Sequence, residues 1–372
     1  METPLKLSEK HFIDTIPVRF VNGRIIADVQ IHGRTYSFIV DTGSSRTVLF
    51  NPREMGAKPI NEVSKLQDAT GKEVIFRNYL LDSLRFGKNL IRNIEVYDIS
   101  KRSIVYHMSD CSNIEGMIGA DILAGKKGLK FDMLNKRLIY TDMPDIFENE
   151  VGSVSPISVA YNCPSFSISP LEGWSITNCL FDTGSRIMRL SYYNINDLII
   201  RPELLEALEA QAVDSCRGSI SGGVSGFQRD TLVTLYNLKN LMIGGSVLNN
   251  TPCATTFGSV LIGTVLLKYG AVTLDYRRHI MKFSPYSGKI DVKMAEEHDQ
   301  CFFISKKDKI LVGSVWLNSK AYKAGVRKGD EVIKIDGRDY DYCDYYNMVQ
   351  FDDKEHTYTV RNIEGKIFDV VQ

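Results

Sequence analysis

The sequence predicts a mainly β protein built as two pseudo-symmetric β-barrel lobes, residues 1–150 and 151–286, followed by a linker and a small α+β domain within residues 287–372. Three observations predict it. An apolar, β-prone run carries an acid into a tight turn at Phe38-Ile39-Val40-Asp41-Thr42-Gly43-Ser44, and the pattern returns 141 residues later at Cys179-Leu180-Phe181-Asp182-Thr183-Gly184-Ser185. An apolar-apolar-Gly segment and an acid-bearing hairpin trail each copy at matched distances. Asp41 to Gly119 is 78 residues and Gly119 to Asp132 is 13, against 81 from Asp182 to Gly263 and 12 from Gly263 to Asp275. Beyond Phe283 that rhythm stops and a different order of strand, helix and turn begins. A single Asp-Thr-Gly is uninformative, since about 0.1 is expected by chance in a chain of this size and one copy alone reads as a turn with a capping aspartate. Three landmarks in one order at near-equal intervals describe a repeated unit.

Within the first unit, 16–40 reads as alternating strands broken at Asn22-Gly23 and His32-Gly33, both strong hairpin signals, so a β-meander delivers Asp41. A second apolar run, Thr47-Val48-Leu49-Phe50, follows. The turn Gln67-Asp68-Ala69-Thr70-Gly71-Lys72 then lies between β-prone segments, either a lid projecting over the acid or an ordinary surface hairpin. Residues 116–123 are an apolar segment broken by Gly119 and running into a short helix, and 129–140 form a hairpin centred on Asn135-Lys136. In the second unit, strands over 157–168 and 174–181 deliver Asp182, and a helical run covers 202–213. The glycine-rich turn Gly218-Ser219-Ile220-Ser221-Gly222-Gly223 occupies the place of the first unit's hairpin, ahead of Val260-Leu261-Ile262-Gly263 and the 272–283 strands.

Composition removes several classes of function. At 372 residues the chain is long for one core. Lys+Arg and Asp+Glu balance at 45 each and no basic stripe is interleaved with aromatics, which sets nucleic acid aside. The longest apolar stretch, 260–267, stops at Lys268, short of the roughly 20 residues that span a bilayer, so no membrane span is expected. Met1-Glu2-Thr3-Pro4 has neither a basic n-region nor an apolar h-region, so no leader is expected in this chain. The compartment stays open, with a soluble extracytoplasmic protein the favoured reading. Residues 1–15 are either a short propiece or a first strand. Seven cysteines without C-x-x-C spacing and six dispersed histidines form no metal pattern, and no cofactor is expected. The cysteines read as small buried hydrophobes, with Cys163 and Cys179 able to pair if they lie across one hairpin.

Two lobes related by a pseudo-twofold axis would bring Asp41 and Asp182 face to face. Two carboxyls a few ångströms apart share one proton and titrate as a pair. The ionised member can then take a proton from water while the protonated one hydrogen-bonds a substrate carbonyl, which is the chemistry of amide hydrolysis.

This arrangement resembles the aspartic peptidases over about 16–283, on Asp41-Thr42-Gly43-Ser44, Asp182-Thr183-Gly184-Ser185, Met117-Ile118-Gly119 and Leu261-Ile262-Gly263. The resemblance implies acid-protease β-barrel lobes, Asp41 and Asp182 as the catalytic pair, Thr42 and Thr183 locking the two turns together, and Gly43 and Gly184 within those turns. It also implies Ser44 and Ser185 hydrogen-bonding the outer carboxylate oxygens. The chain departs from the pepsin-like pattern at Arg186, where a second small hydroxyl residue is usual, and has no counterpart of the flap tyrosine. With a hairpin in each half it is more similar to two fused retropepsin-like units, a monomer containing an internal pseudo-dimer.

After Phe283 a linker reading extends through Ser284-Pro285-Tyr286-Ser287-Gly288-Lys289 to about Gln300. Beyond it come the strand 309–316, a short helix in Ser319-Lys320-Ala321-Tyr322-Lys323-Ala324-Gly325, and the turn-strand-turn 329–337. This run resembles a PDZ domain of the bacterial kind over about 297–372. The resemblance implies that Cys301-Phe302-Phe303-Ile304 forms the loop capping a peptide's carboxylate, with the peptide added as an extra strand. The expected function is an aspartic endopeptidase acting on polypeptides, its PDZ-like module positioning substrate or regulating access. The alternative is a catalytically inactive peptide-binding scaffold. A sugar hydrolase using the same acids has little support.

Overall fold

Residues 22–23 and 32–33 turn the chain through paired positive φ values, 46° and 69° at Asn22 and Gly23, 49° and 78° at His32 and Gly33. Such turns match the twist of the strands they join. They fold Ile13–Val21, Arg24–Ile31 and Arg34–Val40 into the expected antiparallel meander. The computed structural model describes residues 6–7, 10–68, 70–99, 110–294, 299–306, 309–352 and 354–372. The first five residues, on which the leader and propiece readings bear, and part of the expected linker lie outside them.

The two lobes share one pairing order. In the first, Arg34–Val40 runs parallel to Ile114–Ile118, which pairs antiparallel with Val48–Leu49, itself parallel to Asn89–Asp98. In the second, Trp174–Phe181 runs parallel to Leu261–Ile262, which pairs antiparallel with Met188–Ser191, itself parallel to Thr251–Thr256. Each lobe also projects a hairpin. Lys58–Gln67 pairs with Glu73–Phe86 in the first, and Ala212–Gly218 with Thr231–Leu238 in the second.

Between the lobes lies a six-strand layer ordered Ile13–Val21, Arg137–Thr141, Gly128–Asp132, Gly270–Asp275, Ile280–Pro285, Ser153–Ala160. Its middle pair, Gly128–Asp132 against Gly270–Asp275, joins the two lobes antiparallel. Phe131, Leu129, Val272 and Leu274 on that pair are fully buried in a core continuous through both lobes. Burial of side chains this size contributes roughly 1.5–3 kcal/mol each.

The C-terminal module is a five-stranded antiparallel sheet, Cys301–Lys306, Lys309–Val315, Glu331–Ile335, Thr357–Arg361 and Ile367–Val371, with helices Lys320–Ala324 and Tyr342–Phe351 and its own core. The linker reading is corrected in part. Asp291–Lys293 is a strand lying parallel to Ser246–Asn249, so the connection is packed on the second lobe. The module is packed too, because Leu317 N–H donates to Ser215 O at 3.0 Å, Ser314 Oγ to Ser219 O at 2.9 Å, and Trp316 fills an apolar cluster with Cys216, Val233, Leu235 and Ala254.

Cysteine usage also differs from expectation. Cys111 and Cys343 form a disulfide joining the first lobe to the module's second helix. Cys163 and Cys179 lie on paired strands but out of register, Cys163 opposite Ala160 and Cys179 opposite Phe166, and both are free thiols.

Candidate functional site

Each acid ends a strand whose last backbone bonds come from the neighbouring apolar-apolar-Gly segment. Asp41 N–H donates to Ile118 O at 2.9 Å and Asp182 N–H to Ile262 O at 3.1 Å. Gly119 and Gly263 allow the approach, since a Cβ there would stand 2.3 Å from Arg46 C and from Ser185 O respectively. The two turns grip each other reciprocally. Thr42 N–H donates to Thr183 Oγ1 at 3.0 Å and Thr183 N–H to Thr42 Oγ1 at 3.1 Å. The hydroxyls donate onward, Thr42 Oγ1 to Phe181 O at 2.6 Å and Thr183 Oγ1 to Val40 O at 2.7 Å. All four bonds cross the lobe boundary, and both threonines are buried.

The grip places Asp41 and Asp182 within hydrogen-bonding contact of each other. A Cβ on Gly43 would stand 2.5 Å from Asp182 Cγ, and one on Gly184 2.6 Å from Asp41 Oδ2, so each glycine leaves room for the opposite carboxyl. Gly43 and Ser44 N–H donate to Asp41 Oδ1 at 2.9 and 3.1 Å, and Gly184 N–H to Asp182 Oδ1 at 2.9 Å. Burial first, then the charge of Asp182, pushes Asp41 from 3.8 up to about 8. Burial also raises Asp182, opposed by the Gly184 N–H and the Arg189 charge. Both carboxyls are raised by burial, so the pair holds a proton that the two share.

The serine hydroxyls act differently from expectation. Ser44 Oγ donates to Arg46 O at 2.7 Å, and Ser185 Oγ is buried with no hydrogen-bond partner among the described residues. Backbone amides take the carboxylate-binding role, because the tight turn already aims the N–H groups of Gly43 and Ser44 at Asp41 and leaves the Ser44 hydroxyl nearer the Arg46 carbonyl.

The two projecting hairpins meet tip to tip. Ser225 N–H and Oγ donate to Asp68 Oδ2 at 2.8 and 2.5 Å, and Lys72 Nζ donates to Phe227 O at 2.9 Å. Burial pulls Asp68 upward, but hydrogen bonds from Ser225 and Thr70 outweigh it and hold the carboxyl below its ordinary range. The second hairpin is also where the module docks, with Phe227 edge-on to Phe302 at 6.3 Å.

Cys301, Phe302, Phe303 and Ile304 stand apart from the dyad, in the module's strand Cys301–Lys306 rather than in a loop. Cys301 and Phe303 are buried in the module core, and both backbone groups of Cys301 bond the Gln372 side chain at 2.8 and 3.0 Å. Tyr342 on the facing helix reaches Ser305 Oγ at 3.4 Å, so that helix already lies against the strand.

Three features went unread in the sequence. Arg186 bridges to the first lobe, donating to Asn22 Oδ1 at 2.6 Å. Arg189 is buried near Asp182, and Cys163 lies beside the dyad turn with Sγ 3.5 Å from Gly43 O. Arg189 was readable by aligning the two copies from their aspartates, which sets it opposite Val48.

A family model described as aspartyl protease matches residues 27–122, which carry the later part of the first meander, Asp41 and Gly119. The first lobe is thus similar to aspartyl proteases in sequence. Among solved structures, basic 7S globulin from soybean is similar at 11% identity, over 73% of this chain and 94% of that one, with a TM-score of 0.39. No curated protein matches the chain. The fold is mainly β, with acid-protease-type barrel lobes ahead of an α+β module. No helix among the described residues is long and apolar enough to cross a membrane.

Proposed function

We propose that the protein is an aspartic endopeptidase in which Asp41 and Asp182 activate water against a peptide bond. The observation that carries this reading is the reciprocal threonine grip, which holds each carboxyl against the opposite turn's glycine and so beside its partner. Asp182 accepts a proton from water as the oxygen attacks the carbonyl carbon, and the Asp41 proton passes to the carbonyl oxygen, giving a gem-diol. The proton on Asp182 then moves to the amide nitrogen, the C–N bond breaks, and a gem-diol proton returns to Asp41. One peptide and one water become an acid and an amine, with the dyad restored.

The same proposal reads residues 1–150 and 151–286 as duplicated lobes in one chain and residues 287–372 as a PDZ-like module. The module's packing on the second hairpin supports a role in regulating access to the cleft. The Cys111–Cys343 bridge supports an oxidising, extracytoplasmic compartment. The test is profiling of a mixed peptide library by mass spectrometry with the intact chain, Asp41→Asn and Asp182→Asn. The intact chain should cleave and both folded variants should not; cleavage by either variant would overturn the dyad assignment.

A further inference from the structure

Counting from the two aspartates, the seventh residue onward is Val48 in the first lobe and Arg189 in the second. Val48 does what its type suggests, filling an apolar cluster with Phe50, Phe76 and Tyr97. Arg189 occupies the equivalent row, paired across the sheet with Leu261 and Ala254, and Ala254 in turn with Leu235. Its neighbours Met188 and Leu190 point into the main core, so strand alternation turns Arg189 to the opposite face, where Ala254 and Leu235 form the apolar cluster beneath the second hairpin.

A guanidinium set among such neighbours needs an anion. Arg189 is only 8% exposed, and its Nε and Nη1 are buried without a hydrogen-bond partner among the described residues. Burying a charge without a partner is among the costliest arrangements a fold holds, and valine would pack this row without that cost. The charges that bear on Arg189 are Asp182, which attracts it, and Arg186, which repels it, and Arg186 bears likewise on Arg24 across the lobe boundary. Arg189 and Arg186 therefore stand together next to the second catalytic turn, with Asp182 the one carboxylate that bears on Arg189.

We propose that Arg189, backed by Arg186, is the specificity-determining residue of an anionic subsite that takes the side-chain carboxylate of a glutamate or aspartate close to the scissile bond. This rests on the peptidase reading above. A substrate carboxylate beside the guanidinium adds a second anion to Asp182 and supplies hydrogen bonds that the fold does not, and a substrate lacking it forgoes them. The discrimination between a glutamate peptide and its glutamine counterpart should therefore be roughly 10- to 100-fold in kcat/KM.

The experiment compares matched Glu and Gln peptides, chosen from the library profile, on the intact chain, Arg189→Val and Arg189→Lys. It is paired with fluorescence-anisotropy binding of the same uncleaved peptides to Asp41→Asn with and without Arg189→Val. Thermal melts establish that each variant is folded. Arg189→Val should bring the Glu/Gln ratio to about one in both assays, mainly through weaker handling of the Glu peptide, and Arg189→Lys should keep part of the preference. Equal loss on both peptides together with a displaced pH profile would make Arg189 a positioning group for Asp182 and overturn the subsite. So would an intact chain with no acidic preference, or a preference that survives Arg189→Val. If no peptide is cleaved yet Glu peptides bind in an Arg189-dependent way, the subsite stands and the peptidase reading falls.

Discussion

Replacing Asp41 by Asn keeps the shape of one half of the pair and removes its charge, so it should change stability as well as turnover. Burial and the neighbouring Asp182 charge raise the Asp41 carboxyl from 3.8 to about 8. A carboxyl raised in the folded state contributes its full stability below the unfolded value near pH 4 and loses it as pH climbs toward the folded value. Between pH 4 and pH 7 that is about three decades of proton affinity, each worth about 1.4 kcal/mol, or up to about 4 kcal/mol. Asp41 is partly open to the cleft, and water there weakens the penalty, so roughly 2 kcal/mol is the working figure. The intact chain should therefore lose roughly 2–4 kcal/mol more between pH 4 and pH 7 than Asp41→Asn does, leaving the inactive variant the more stable protein at neutral pH. Urea midpoints at pH 4, 5, 6 and 7, with the slope of each transition checked for constancy, measure it. Parallel pH curves for the two proteins would refute the shared-proton dyad. The same displacement moves the alkaline limb of a bell-shaped rate profile above the ordinary carboxylate range, toward neutrality.

Thr42→Val removes the hydroxyl that accepts from Thr183 N–H and donates to Phe181 O, and should cost about 1–3 kcal/mol in denaturant unfolding. Thr183→Val should match it, and an effect below about 0.5 kcal/mol would mean that the grip is not structural. Asp68→Ala should release the hairpin tips, raising hydrogen exchange at the Ser225 and Thr70 amides by roughly tenfold or more; in the intact chain, whose Asp68 carboxyl is held low, the latch should persist until pH falls below the ordinary carboxylate range. Unchanged exchange in the variant would place the closure elsewhere. Cys343→Ser should lower stability by about 2–4 kcal/mol, with dithiothreitol reproducing the effect in the parent and having none on the variant. Cutting the chain near Ser287 should slow cleavage of short peptides as well as of long polypeptides, because the cut uncovers Cys216, Val233, Leu235 and Ala254 beneath the second hairpin; unchanged rates on short peptides would show that the hairpin works without the module.

The elements that the sequence revealed are those whose signals are local. Asn22-Gly23 and His32-Gly33 specify their turns by themselves, and the helix beginning at Pro202 starts with a proline at its first position, where helices tolerate it. The aspartate pair was legible because it occurs twice, and its spacing to Gly119 and Gly263 carries the strand order of each lobe. What stayed hidden depends on contacts between residues far apart. Cys111 and Cys343 lie 232 residues apart with nothing local to mark them as partners. Asp68 and Ser225 lie 157 apart, and although the Asp68 turn reads as either a lid or a surface hairpin, nothing local marks Ser225 as its partner. The serine hydroxyls were misassigned for a related reason, since residue type gives the donors present but not which acceptor the turn brings nearest.

A pair of identical turns related by a twofold axis has no preferred direction along a substrate, yet a peptide has one. The asymmetry must come from positions where the two copies differ. Ser45 and Val48 on one side face Arg186 and Arg189 on the other, and only the second lobe brings a cation to bear on its aspartate. That cation opposes the raising of Asp182 and has no counterpart among the causes that raise Asp41, so the residues that break the symmetry of the cleft also bear on one half of the dyad. The module adds to the same side, packing Trp316 beneath the second hairpin and Phe302 against Phe227 at its tip. The second hairpin is thus held by a neighbouring domain, so loosening the Asp68–Ser225 contact should mobilise residues 68–72 more than residues 219–230.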